Sequence, residues 1–177
     1  GADAIMLSAE SAAGAFPIDA VATMDRIATQ VELDSNHKNI MHAQRTEPEA
    51  TGADAISAAA RQIAETLNLA AICCYTASGA TGMRAARERP QTPIIAFSPS
   101  VDTARRMALV WGLHVVVGEE RGDLEAMIQH ACDIAREEGF AKAGERIIVT
   151  AGVPLGTPGA TNMLRIAFVP DQPSALA

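Results

Sequence analysis

The chain has 177 residues, 49% of them hydrophobic and 3% aromatic, with a formal net charge of −7. That supply of apolar side chains suffices for one well-packed domain with residues to spare. The acidic balance argues against a sequence-independent nucleic-acid binder, and no long uncharged apolar run is available to span a membrane.

In chain order, residues 4–7 read as a short buried strand that runs into a polar turn carrying Ser8, Glu10 and Ser11. A carboxylate and two hydroxyls at the C-terminal end of an apolar strand is where parallel α/β folds place their chemistry. Phe16-Pro17 opens a helix, because proline is tolerated in a first turn whose N–H has no helical partner. Ile18, Val21, Met24, Ile27 and Val31 follow at helical spacing and predict an amphipathic helix over residues 17–32. Residues 34–52 are polar and turn-rich, which places a domain boundary there.

After the boundary, helix and strand signals alternate. Ile56, Ala59, Ala60, Ile63 and Leu67 form the stripe of a helix that Asp54 is positioned to cap. The continuous apolar run of residues 70–75 predicts a strand covered on both faces. Helices are expected at about 79–88, 101–110 and 124–135, the last capped by Asp123 and ended by Gly139. Strands are expected at 93–97, 113–117, 146–150 and 163–169. Short connections of this kind predict a three-layer helix–sheet–helix α/β unit around a five-stranded, mostly parallel sheet. Only a glycine- and proline-rich loop separates the last two strands, so the fifth is expected to be antiparallel. Residues 171–177 read as a frayed tail.

Between the strand at 70–75 and its helix lie Thr76, Ala77, Ser78, Gly79, Ala80 and Thr81, followed by Gly82. Three hydroxyls, two glycines and a helix N-terminus meet in this turn. Unpaired N–H groups and the helix dipole favour a phosphate or another anion there, and Arg84 or Arg87 is placed to swing toward it. An ordinary capped turn is the alternative reading. Cys73, Cys74 and Cys132 are too few and too irregularly spaced for a disulfide framework or zinc site, and read as small buried hydrophobes in a reducing cytoplasm. His114 alternates with valines in a strand. His37, His42 and His130 do not form metal-ligand spacing. Arg105 and Arg106 read as surface or interface residues. No basic segment leads into an apolar one at the N-terminus, so no secretory signal is expected.

The run from Gly1 to Gly14, GADAIMLSAESAAG, resembles the last barrel strand of pyruvate kinases. The resemblance extends through the Thr76–Thr81 turn, similar to the effector-phosphate loop of allosteric members. It continues in PIIAFSP at residues 93–99, TARRMALVWG at 103–112 and GTPGATN at 156–162. It implies that residues 1–33 are a remnant of the (β/α)8 barrel, 34–53 a linker, and 54–170 a C-terminal α/β effector domain. With motif residues at the very start and no initiator Met, the chain is expected to be a piece of a longer protein, inactive alone. A barrel strand without its neighbours loses its burial partners, so residues 1–33 are expected to be disordered, rearranged or swapped between chains.

The family transfers the phosphoryl group of phosphoenolpyruvate to ADP, with Mg2+ and K+ implied for the full-length enzyme and no cofactor or metal expected in this piece. By resemblance, Ser8 belongs near the proton-delivery network and Glu10 orients neighbouring groups, both as rim remnants of the catalytic site. Gly156, Thr157, Pro158 and Gly159 correspond to a second effector loop. It lacks the Lys, Arg or Trp that family members use to grip a second phosphate, so AMP or a sugar monophosphate is the expected effector rather than fructose 1,6-bisphosphate. The family's C-terminal domain implies a homo-oligomer, a tetramer in the parent enzyme. Two other classes stay open: a free-standing phosphate-ester binding module, and a purely structural oligomerisation domain with an empty loop.

Overall fold

The computed structural model describes residues 2–118, 122–155 and 161–171. The chain divides into two compact units, residues 1–47 and 48–177.

The first unit is helical: α1 (Ala9–Ala12), α2 (Pro17–Leu33) and α3 (Ser35–Ala43). Pro17 occupies the first turn of α2 as its missing N–H allows. Asp34 ends α2 and starts α3, its carboxylate accepting a hydrogen bond from Asn36 N–H at 2.7 Å. That cap turns the polar, turn-rich reading of residues 35–43 into a helix: Asx side chains favour turns and helix starts alike, and the local sequence does not separate the two. The strand expected over residues 4–7 is absent among the described residues. A strand needs a hydrogen-bonding neighbour, and the described elements of this unit are all helices.

The second unit is an α/β layer structure. Its elements are α4 (Gly52–Leu67), β1 (Ala71–Tyr75), α5 (Ala80–Arg87), β2 (Ile94–Ser98), α6 (Val101–Met107), β3 (Leu113–Val117), α7 (Leu124–Glu137), β4 (Arg146–Gly152) and β5 (Thr161–Phe168). The five strands lie in the order β3-β2-β1-β4-β5, parallel except for β5, which pairs antiparallel with β4. The expected sheet and its reversed last strand are therefore observed. The reversal follows from a β4–β5 loop with too few residues to cross over.

Period-two alternation divides the core between the faces. Ala71, Cys73, Ile95, Phe97, Ile147 and Val149 face α7 through Met127, Ile128, Ala131 and Ala135. Ile72, Cys74, Ile94 and Ile148 face α4 and α5, which present Ala60, Ala64, Ala85 and Ala86. Alanine stripes let these two helices approach the sheet closely. The adjacent cysteines point to opposite faces, as alternation requires. Burial pushes the Cys73 thiol up and holds Cys74 and Cys132 at about 11, so all three stay neutral and behave as small apolar groups. No described helix is long and apolar enough to cross a membrane.

The strand order reverses direction at β1. From β1 the chain steps outward to β2 and β3, then returns to set β4 on the other side of β1. At such a reversal the connections leave the sheet in opposite directions and open a crevice at the carboxyl ends of the two central strands.

Candidate functional site

Both elements that the sequence singles out as phosphate loops start at this edge. The turn of residues 76–81 leaves β1, and the loop before β5 leaves β4. Gly79 sits at φ +92°, a left-handed backbone that suits glycine, and it starts α5. Its missing Cβ matters as well, since one would stand 3.3 Å from the Met107 side chain. Thr76 is buried and its Oγ1 accepts from Gly79 N–H at 2.9 Å, while Ser78 Oγ accepts from Ala80 N–H at 3.4 Å. Ala77 and Ser78 are exposed at the tip. Hydroxyls thus shape the turn from inside and leave its crest facing outward.

The hydroxyls of Thr81 and Thr161, both buried, lie 2.8 Å apart and tie the two loops together across 80 residues of sequence. Asn162 then clips the base of the second loop: its side chain accepts from Val153 N–H at 2.8 Å and donates to Val153 C=O at 2.7 Å. Gly156, Thr157, Pro158 and Gly159 lie outside the described residues.

The positive charge is not where the sequence suggests. Arg84 and Arg87 do not reach toward the turn. Both bind Asp54, Arg84 Nε at 3.0 Å and Arg87 through Nη2. Asp54 is fully buried in the first turn of α4. It does not cap that helix; Thr51 does, accepting from Asp54 N–H at 3.3 Å. The hydrogen bond from Arg87 holds the Asp54 carboxyl below the usual aspartate range against the upward push of burial, with Glu49 N–H and the Arg84 charge helping. One carboxylate balances only one of the two guanidiniums, but both heads are directed at Asp54, which leaves neither placed on the turn.

The cation beside the turn is Arg106. Its Nη2 donates to Thr103 Oγ1 at 3.2 Å, and that hydroxyl donates to Ala77 C=O at 3.1 Å. The Thr103 methyl lies 3.4 Å from where a Gly79 Cβ would be. Arg106 is exposed, as its reading as a surface or interface residue expects. Its helix leaves β2, so only the pairing of β2 with β1 brings it beside the first loop.

Ser8 and Glu10 lie in the first unit and are exposed. Ser8 N–H donates to the Glu10 carboxylate at 3.1 Å, and Ser11 Oγ donates to Ser8 C=O at 3.4 Å. Backbone hydrogen bonds at Glu10 and Ser8 hold the Glu10 carboxyl below its usual range. Among the described residues, no group of three or more His, Cys, Asp or Glu side chains is arranged to hold a metal ion.

A mostly parallel five-stranded sheet with a reversed last strand, flanked by helices, defines an α/β domain. The comparisons with known proteins give it a family. The model described as "Pyruvate kinase, alpha/beta domain" matches residues 54–167. A pyruvate kinase of Methylorubrum extorquens is 54% identical over 96% of this chain and 35% of its own length. One of Geobacillus stearothermophilus is 38% identical over 97% of this chain and 29% of its own. A crystal structure of a pyruvate kinase from Cryptosporidium parvum superposes with a TM-score of 0.81 at 28% identity, over 93% of this chain and 32% of that one. The chain belongs to the pyruvate kinase family and spans about a third of the length of these relatives.

Proposed function

We propose that this chain is the regulatory and assembly portion of a pyruvate kinase, with residues 76–81 as the phosphate cradle of an allosteric effector. The observation that carries this reading is the Thr81–Thr161 bridge at the switch point, which joins both candidate loops, while Arg106 reaches the first of them through Thr103. In the bound state the crest of the turn and the first N–H groups of α5 face the phosphate, with Arg106 supplying a guanidinium. Thr76 and Thr103 hold the turn in shape. One cationic side chain at one cradle suits a single phosphate, which favours AMP or a sugar monophosphate over fructose 1,6-bisphosphate.

The parent reaction, phosphoryl transfer from phosphoenolpyruvate to ADP in the cytoplasm, belongs to the longer chain. Such transfer needs charge arranged around the moving group in advance. Ser8 and Glu10 contribute to the rim of that catalytic site, and the Mg2+ and K+ of the full enzyme bind on its other parts. The isolated chain is inactive and associates with copies of itself through exposed apolar positions such as Leu109 and Phe168.

Calorimetric titration with AMP, glucose 6-phosphate and fructose 1,6-bisphosphate tests the reading. Binding of the monophosphates, weakened about tenfold in Arg106→Gln by loss of one charge-assisted contact, is the expected result. Tighter binding of the bisphosphate overturns the effector preference. Pyruvate formation by the pure chain overturns its inactivity.

A further inference from the structure

Asp54 does more than occupy two arginines. Its carboxylate receives hydrogen bonds from three places: Glu49 N–H at 2.9 Å, Arg84 Nε at 3.0 Å and Arg87 Nη2. Glu49 lies in the segment where the chain enters the second unit, whose first residue is Pro48. Arg84 and Arg87 lie on α5, the helix that begins at the candidate phosphate turn. A second tie, Arg61 Nε to Glu88 Oε2 at 3.3 Å, joins α4 to the far end of α5. Both ties therefore grip the C-terminal end of α5, at Arg84, Arg87 and Glu88, and the main chain at residue 49 is held to the same carboxylate as the two arginines. A buried carboxylate that loses one donor has no water to replace it. Any shift of α5 must carry Asp54 along or break a bond whose loss is costly.

We propose that Asp54 is a positioning residue that couples the phosphate turn, through Arg84 and Arg87, to the segment of residues 48–51 with which this domain begins. The proposal rests on the phosphate reading above for its ligand, but the coupling is a property of the ligand-free chain as well. The side chains of Arg84 and Arg87 are 33% and 40% exposed, against 1% for Asp54. Either arginine can be replaced without touching the sheet core, so the arginine variants are expected to fold, at the cost of one donor to Asp54.

Amide hydrogen exchange on the 177-residue chain tests the coupling. Without ligand, Arg87→Gln and the double variant Arg84→Gln/Arg87→Gln speed exchange at Glu49 N–H by about tenfold, although that N–H is bonded to Asp54 and to neither arginine. Amides of β1 and β4 keep wild-type protection, and Arg87→Lys gives an intermediate rate. A Glu49 amide unchanged in the double variant overturns the coupling. In the second arm AMP is the probe. It slows Glu49 exchange by about threefold in the wild type and not in Asp54→Asn, which still binds AMP. A slowing that persists in Asp54→Asn, or AMP that binds without any effect at Glu49, overturns the proposal. Wild-type chain that takes up no AMP overturns the phosphate reading and the ligand response together, while the ligand-free arm still decides the coupling. Loss of β-sheet protection in Asp54→Asn identifies unfolding, and the arginine variants then carry the test.

Discussion

Helices α2 and α7 present the same kind of apolar stripe, and their fates differ. In α7, Met127, Ile128, Ala131, Cys132 and Ala135 are buried against the sheet. In α2 no residue is buried, and Ile18, Val21, Ile27, Val31 and Leu33 stand exposed. Both helices have an acidic residue in the first turn and regular spacing, so local preference is satisfied in each. What differs is the neighbour: α7 lies on a five-stranded sheet, whereas the described elements of the first unit are helices alone. Helical periodicity states which face is to be covered; it contains nothing about whether a cover is present. In this chain stability resides where strands supply the second layer.

The strongest way to break that contrast is in the cores themselves. Ile148→Ala, at a fully buried sheet position, is expected to lower the unfolding free energy by about 3 kcal/mol, from lost burial and the cavity left behind. Ile27→Ala, 60% exposed in α2, is expected to change it by less than about 0.5 kcal/mol. Urea denaturation followed by the near-ultraviolet signal of Trp111 reads the second unit. A comparable loss in Ile27→Ala would refute the contrast.

Gly79→Ala is expected to cost roughly 1–2 kcal/mol, because alanine is strained at a left-handed φ and its methyl meets Met107. A thermal melt measures the loss, and AMP affinity is expected to fall with it. The Thr81–Thr161 bridge sharpens the comparison further. Thr81→Val or Thr161→Val alone strands a buried hydroxyl and is expected to cost about 1–2 kcal/mol; the double variant is expected to cost less than the sum of the two. A double-mutant cycle by urea denaturation checks this, and strict additivity would mean the hydroxyls do not interact.

The helix caps give the smallest effect. Asp123 caps α7 by accepting from Ala126 N–H at 2.9 Å, and Asp34 caps α3 in the same manner. Asp123→Ala is expected to lower global stability by about 1 kcal/mol. Asp34→Ala is expected to reduce helical circular dichroism while leaving the midpoint of the sheet transition unchanged. A shifted midpoint would mean that the first unit unfolds together with the second.

Much of the second unit is legible in its residues. The runs at 71–75, 94–98 and 113–117 are bounded by polar turns, and Asp123 marks the start of α7 at the observed position. The reversed β5 follows from the shortness of the loop before it. Two features in the first unit misled for a common reason. Residues 4–7 look like a strand and form none among the described residues; residues 35–43 look like a turn and form a helix. Each is a short segment whose local preferences are balanced, so neighbours decide.

The candidate site divides in the same way. Thr76, Ser78, Gly79 and Thr81 are visible as a loop because hydroxyls and a glycine at a strand–helix turn leave a local signature. The charge of the site is not visible. Arg84 and Arg87 look free in the sequence, and they bind a carboxylate 30 and 33 residues away. Arg106 reads as surface or interface and is exposed; which loop it neighbours is decided by the parallel pairing of β1 with β2, which sets its helix beside the turn.

From its residues alone this chain determined its alternating helices and strands, the reversal of its last strand and the position of its glycine turn, because each depends on backbone geometry within a few neighbours. Only the tertiary structure decided which apolar faces are covered, which guanidiniums are tied to a buried carboxylate and which hydroxyls meet across the switch point. Burial and charge pairing act through space, between residues that the order of the chain leaves far apart.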